Sequence, residues 1–307
     1  MSAPTETSFR AYLMLSGSAL FWSGNFVIGR AFAQDIPPIT LSYWRWQLAL
    51  LIFLPFSLIL FFRQWQLLRR HMPWLLMMGL LGVAGFNSFV YQGLQHTTAT
   101  NALLINSFIP ILIIALGWLL PGALRSRRQL AGVVISTLGM LLLIMRGDPR
   151  RLLDLSFNQG DLWILLAALD WAIYSIALRW RPADLSPRVF LLATMIIGVA
   201  LMAPLYWLNP FDEPRPQVSV DTFLVVAYVA LFASIGAFLL WNQGIAIVGA
   251  ARGGQFIHLM PLFGALLAIV FLGERLAWFH LGGGFAIGLG IYLSLMTRNQ
   301  AGPAVTR

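Results

Sequence analysis

The stretch Leu239-Leu240-Trp241-Asn242-Gln243-Gly244, followed by Pro261, Gly283 and Gly290, decides the fold, because it has been seen before in the same chain. Gln243-Gly244, Pro261, Gly283 and Gly290 repeat Gln92-Gly93, Pro110, Gly132 and Gly139 at a constant shift of 151 positions. Upstream, Trp22, Pro38 and Pro55 return as Trp171, Pro187 and Pro204 at a shift of 149. Two extra residues between the second and third apolar runs of the second half reconcile the two shifts. Ordered matches at a nearly constant offset mark an internal repeat, the second copy of one structural unit.

Each copy is apolar enough to be a membrane unit. Of 307 residues, 59% are hydrophobic and only 10% are charged, against roughly 45–50% and about 25% in a soluble domain. A spanning helix takes about 20 apolar residues. Runs separated by charge or turn clusters give ten expected spans: 10–33, 39–62, 73–95, 101–120, 129–146, 160–180, 187–208, 221–248, 252–272 and 277–296. The expected organisation is a repeat over 10–146, a linker over 147–159 and a repeat over 160–296. Five is odd, so the second copy starts on the opposite face. The expected class is an all-α polytopic membrane protein, ten transmembrane helices in two inverted repeats of five.

Charge sets the orientation. All 20 basic residues are Arg. In the alternate loops 13 Arg fall on the face that holds both termini and 6 on the other, with Arg45 inside a span. The positive-inside rule therefore predicts cytoplasmic termini. Arg146, Arg150 and Arg151 run against the rule. Because the Arg residues sit in short loops between apolar runs, nucleic-acid binding is not expected despite the +9 net charge. With no Cys, thiolate chemistry is excluded. His71, His96, His258 and His280 lack ligand spacing, so no metal or cofactor is expected. No nucleotide fingerprint, catalytic triad or paired carboxylate stands out, so an enzyme is not expected.

Polar residues inside the spans are the site candidates. Trp22 and Asn25 share a helix face, as do Trp171 and Tyr174. For Asn25 and Ser175 two readings stand: interhelical hydrogen-bonding or a place on a cavity wall. Tyr91-Gln92-Gly93, leading into His96–Asn101, and Trp241-Asn242-Gln243-Gly244, leading to Arg252–Gln255, form related polar hairpins, either gates at opposite mouths or simple helix caps. Pro110 and Pro261, inside spans four and nine, read as hinges or passive kinks. Arg45, Asp170 and Glu274 are charges at membrane depth, functional candidates by default. Glu274 has an interfacial alternative, pairing with Arg275 or Arg45. Asp170 is a candidate proton carrier or an ion pair with Arg179 or Arg45. His258 is a satisfied polar group or a substrate contact. The glycine-rich spans 129–146 and 277–296, with Gly284 and Gly288 as a small-xxx-small pair, read as scaffold.

Leu20-Phe21-Trp22-Ser23-Gly24-Asn25-Phe26, Tyr43-Trp44-Arg45-Trp46, Gln243-Gly244 before Pro261, and Leu272-Gly273-Glu274-Arg275 resemble the EamA-domain branch of the drug/metabolite transporter superfamily. The resemblance runs over about residues 10–296 and is nearest the YddG-type exporters of aromatic amino acids and methyl viologen. It implies an exporter of the bacterial-type inner membrane in which spans one to four and six to nine surround a central cavity. Carried over by position, Trp22, Asn25, Trp171, Tyr174, Gln243 and Pro261 fall in those spans. Two departures stand out: Ala123 occupies the place of Glu274 in the first copy, and Asp170 precedes the second tryptophan where a small or apolar residue is expected.

The expected partners are a small-molecule substrate and the lipid bilayer, with protons as a candidate coupling ion and no obligate protein partner. Trp, Tyr, Asn, Gln and His around a cavity suit zwitterionic or aromatic solutes, such as neutral amino acids. Aromatic cations remain open through cation–π contact. The competing classes are an exporter of another solute class (drug cation, nucleotide or sugar derivative) and a membrane scaffold or lipid-handling protein without a polar pocket.

Overall fold

The structure, a computed structural model, describes residues 6–31, 36–121, 126–152, 158–210, 212–214, 216, 219–272 and 275–296. Among them every regular element is helical: α1 (Glu6–Ala31), α2 (Pro38–Arg63), a short α3 (Trp65–Arg70), α4 (Met72–Leu94), α5 (Ala99–Asn106), α6 (Ile109–Gly117), α7 (Arg127–Ile144), α8 (Gln159–Trp180), α9 (Pro187–Leu208), α10 (Val220–Val248), α11 (Ala250–Phe271) and α12 (Trp278–Leu295). Eight of these, α2, α4 and α7 to α12, are long and apolar enough to cross a membrane. Of the two other expected spans, α1 is a continuous helix of 26 residues, the length of a crossing. The fourth span is two short helices, α5 and α6, with a break at Ser107–Phe108.

The winding changes next to both prolines. Pro110 lies in the first turn of α6, where no intrahelical partner for its missing N–H is needed. In the second half, α11 starts as one turn, Ala250–Gly253, tightens to a 3-10 stretch over Gly254–His258, and resumes as α-helix at Leu259, two residues before Pro261. Each proline thus follows a local change of winding within its span.

The halves exchange their contacts. α1 packs on the C-terminal half of α10, and α8 packs on the C-terminal half of α4. α1 also lies on α11, and α8 on α6, while α2 meets α9 and α7 meets α12. Under the sequence repeat α1 corresponds to α8, α4 to α10 and α6 to α11. Every one of these contacts therefore maps onto its counterpart or onto itself, as a two-fold relation requires. Even the irregularities match: α4 is π-helical over Leu80–Gly85 and α10 over Val229–Gly236. A π-turn carries one residue more per hydrogen-bonded ring and commonly marks a functional segment.

The tightest joint is the pairing of α7 with α12. A side chain at Gly139 would begin 2.7 Å from the Gly283 carbonyl oxygen, and one at Gly283 would begin 2.8 Å from that of Gly139. Gly132 and Gly290 face each other in the same reciprocal way. The glycines seven apart thus bring two backbones into contact, as read from the sequence. The Gly284/Gly288 pair does not: a side chain at Gly288 would meet nothing within 4 Å.

Candidate functional site

The two repeats meet in an aromatic cluster. Trp22 of α1 stands edge-on to Trp171 of α8 (centroids 5.1 Å apart) and to Phe238 of α10 (5.9 Å), and lies tilted against Trp241 (5.4 Å). Trp171 in turn touches Tyr174 (5.2 Å), Phe238 (5.5 Å), Trp241 (5.7 Å) and Phe86 of α4 (4.8 Å). Such pairs contribute about 0.5–1.5 kcal/mol each beyond area burial. Trp46 of α2 extends the cluster, edge-on to Phe238 at 4.9 Å. Trp171, Tyr174, Phe238, Trp241 and Trp46 are all buried, and Trp22 is half-buried.

The π-turns hold this arrangement in place. The Trp22 indole N–H donates to the Ala233 carbonyl (3.0 Å), inside the π-turn of α10. In the matching turn of α4 the Asn87 amide donates to the Val83 carbonyl (3.1 Å). Ser18 and Ser23 tie α1 to its neighbours, donating to the carbonyls of Ala237 (3.0 Å) and Met260 (2.8 Å). Tyr174 closes over the cluster by donating to the Asn242 side-chain oxygen (2.8 Å).

Some buried polar atoms without partners belong to the cluster or to residues close to it in sequence. Asn25 Oδ1, Asp170 Oδ2, Ser175 Oγ, Asn242 Nδ2, and the indole nitrogens of Trp46 and Trp241 are buried without a hydrogen-bond partner. Buried polar groups are hydrogen-bonded in the great majority of cases, so each exception calls for a reason. Interhelical hydrogen-bonding does not supply one for Ser175 Oγ or for Asn25 Oδ1.

The charges are separated. Asp170 is buried, and its carboxylate abuts Gly85 in the π-turn of α4, where an added Cβ would lie 2.7 Å from Oδ1. The ion pairs considered for it do not form. Arg45 donates instead to Asn87 Oδ1 (2.8 Å) and to the Tyr91 hydroxyl (3.3 Å), and the Arg179 guanidinium lies over the Trp180 ring. Glu274 lies outside the described residues. The His258 ring meets Ser136 Oγ (2.8 Å) and the Ser107 carbonyl (3.1 Å), joining α7 to the break in the fourth span. Gln92 and Gln243 are half-buried.

Two carboxylates escaped the sequence reading. Asp161 is buried at the start of α8, where it accepts from the Asn158 backbone (2.9 Å), the Thr97 hydroxyl and the Asn101 amide (3.3 Å). It thereby clamps the polar run 96–101 to the second repeat, while Thr98 caps α5. The first hairpin is thus both a cap and a docking point. Glu213 accepts from the backbone N–H groups of Ile39 (3.0 Å) and Thr40 (3.3 Å), placing a negative charge at the N-terminus of α2. The capping pattern Asn158-x-x-Asp161 is legible in sequence; the partners of Asp161 and Glu213, some 60 and 170 positions away, are not.

The comparisons with known proteins agree with this architecture. A solved crystal structure superposes with a TM-score of 0.74 at 21% identity, over 92% of this chain and 96% of that one, a likeness of fold. The uncharacterized transporter YyaM of Bacillus subtilis (strain 168) is 26% identical over 91% of this chain and 92% of its own length. The uncharacterized transporter YdeK of the same organism is 29% identical over 84% of this chain and 88% of its own length. A protein of Salmonella typhimurium (strain LT2), named "Probable amino-acid metabolite efflux pump", is 25% identical over 89% of this chain and 91% of its own length. The profile of the EamA-like transporter family matches twice, at residues 9–145 and 158–296, once in each copy of the repeat. A multi-pass helical membrane protein built from two such units, the chain belongs to the EamA-like transporter family.

Proposed function

We propose that the chain is a secondary exporter of small neutral or zwitterionic metabolites, aromatic amino acids among them, and that it works by alternating access. The carrying observation is the aromatic cluster where the repeats meet, together with the partnerless buried polar atoms of Trp46, Trp241 and Asn242 within it. Indole and phenol rings offer stacking faces to a flat solute. Asn25, Ser175 and Asn242 offer hydrogen bonds to its polar end. The two-fold exchange of contacts supports a rocking motion about the α2–α9 and α7–α12 joints, with the Tyr174–Asn242 bond made in the closed state of one mouth. The efflux-pump name of the Salmonella relative supports the solute class. Counterflow by the purified protein in liposomes tests the reading: labelled phenylalanine or tryptophan exchanges faster than a phosphorylated sugar. Equal, background-level rates for every solute of a panel would refute it.

In the proposed topology, ten crossings form two inverted repeats over 10–146 and 160–296, with both termini cytoplasmic in a bacterial-type inner membrane. Since the chain has no Cys, single introduced cysteines report without background. Cysteine at position 2 or 302 is expected to label from the cytoplasmic side and one in the 147–159 linker from outside. The reverse pattern sinks the orientation.

Asp170 is the proposed site of proton coupling. It is a buried acid in α8, one oxygen has no partner, and it touches the π-turn of α4. Neutralising a buried carboxylate by protonation removes a large desolvation penalty, which would let the α4–α8 contact shift with occupancy. Uptake driven by a pH gradient is the measurement. The parent accumulates solute against its gradient; Asp170→Asn loses accumulation and keeps exchange. Equilibration alone by the parent, at any pH gradient, ends the coupling proposal.

A further inference from the structure

Arg45 is a cation buried in α2, 3% exposed, with no carboxylate beside it among the described residues. Two of its five N–H donors are used, both on neutral oxygens: Nη2 on Asn87 Oδ1 at 2.8 Å and Nη1 on the Tyr91 hydroxyl at 3.3 Å. Nε has no partner. A guanidinium keeps its charge at any physiological pH, and neutral acceptors compensate its loss of water poorly. Asp170 does not answer this charge. It abuts Gly85, whereas Arg45 grips Asn87, and two residues along a helix are about 200° around it. The acid and the base stand on opposite sides of α4.

The arrangement around Arg45 is built. Asn87 is buried and held by its own bond to Val83 in the π-turn, so its oxygen fixes one edge of the guanidinium. Nε is left as a free donor of the guanidinium, and a guanidinium donor pair of this kind matches the two oxygens of a carboxylate. Trp46 links the guanidinium to the aromatic cluster: its ring centroid lies 5.1 Å from the Arg45 guanidinium carbon and 4.9 Å from that of Phe238. Tyr91, half-buried, is the second partner of the guanidinium.

We infer that Arg45, oriented by Asn87 and Tyr91, is the carboxylate-binding subsite for the exported solute, whose aromatic or apolar part then lies over Trp46 toward Trp22 and Trp171. The inference rests on the transport reading above and narrows it. The solute is an acid, and a dication such as methyl viologen is a poor ligand. Asp170 does not hold the solute's ammonium group at the same time, because α4 intervenes.

Binding of matched pairs to the purified full-length protein tests the inference independently of transport. The pairs are phenylalanine with phenylalaninamide and leucine with leucinamide, with methyl viologen as a further probe. The parent should bind each acid at least about tenfold more tightly than its amide, one good charge-assisted pair corresponding to roughly that factor. The preference should be read at pH 6, where acid and amide both carry the ammonium group and the guanidinium keeps its charge. Arg45→Gln should abolish it and Arg45→Lys should keep part of it, with thermal unfolding confirming that both variants fold. Glu274→Gln should leave it unchanged. Acid and amide binding alike, methyl viologen binding as well as phenylalanine, no binding by any probe, or an acid preference that appears only in Glu274→Gln would each overturn the assignment. Acid preference in both pairs without any advantage for phenylalanine over leucine would instead retain Arg45 and refute the aromatic reading.

Discussion

Replacing Trp171 with Ala should abolish solute exchange, while replacing Met140 with Ala should lower stability and leave exchange per folded molecule within about twofold. Both side chains are buried, Trp171 at 3% exposure and Met140 at 2%, so burial alone cannot separate them. Deleting either costs on the order of 2–5 kcal/mol of packing. The difference lies in what each touches. Trp171 joins Trp22, Tyr174, Phe238, Trp241 and Phe86 in the cluster, which draws on both repeats. Met140 lies in α7, whose main partner is α12. Trp22→Ala should behave like Trp171→Ala, since it removes three ring contacts and leaves the Ala233 carbonyl without its donor. Trp171→Phe keeps a ring, guards against simple misfolding, and should retain partial exchange. The measurement is counterflow normalised to the monodisperse fraction. If alanine at 171 and alanine at 140 reduce the normalised rate equally, the cluster is ordinary core.

Leucine at Gly139 or Gly283 should remove folded protein from the membrane altogether. An added Cβ there begins 2.7–2.8 Å from a backbone carbonyl of the facing helix, which cannot step aside as a flexible side chain would. Even Gly139→Ala should cost roughly 1–3 kcal/mol by overpacking. Gly288→Leu is the matched control, on the same α12 but with open space around the added atoms, and should fold. A thermal unfolding series over Gly139→Ala, Gly139→Leu and Gly288→Leu checks the order. Similar loss at 288 and 139 would mean that glycine is needed there for something other than the α7–α12 approach.

Much of the architecture was legible because a membrane imposes it on the sequence. Backbone groups in lipid must be satisfied within helices, so apolar run length places α2, α4 and α7 to α12 to within a few residues. A repeated unit repeats its punctuation, so Trp22 with Trp171 and Pro110 with Pro261 announced the two copies, and Gly132, Gly139, Gly283 and Gly290 announced the close joint. Tertiary structure decided what composition and period do not encode. The π-turns in α4 and α10 lie within runs whose apolar character continues on both sides, so no period marks them. Which partner a buried polar atom takes depends on contacts up to about two hundred positions apart. Trp22 went to Ala233, Arg45 to Asn87 and not to an acid, and Asp170 to the far side of the same helix. Span lengths follow from local hydrophobicity, which each segment carries by itself. The pairing of charges and rings follows from which faces of α1, α2, α4, α8 and α10 meet, and that is fixed only when all the helices pack together.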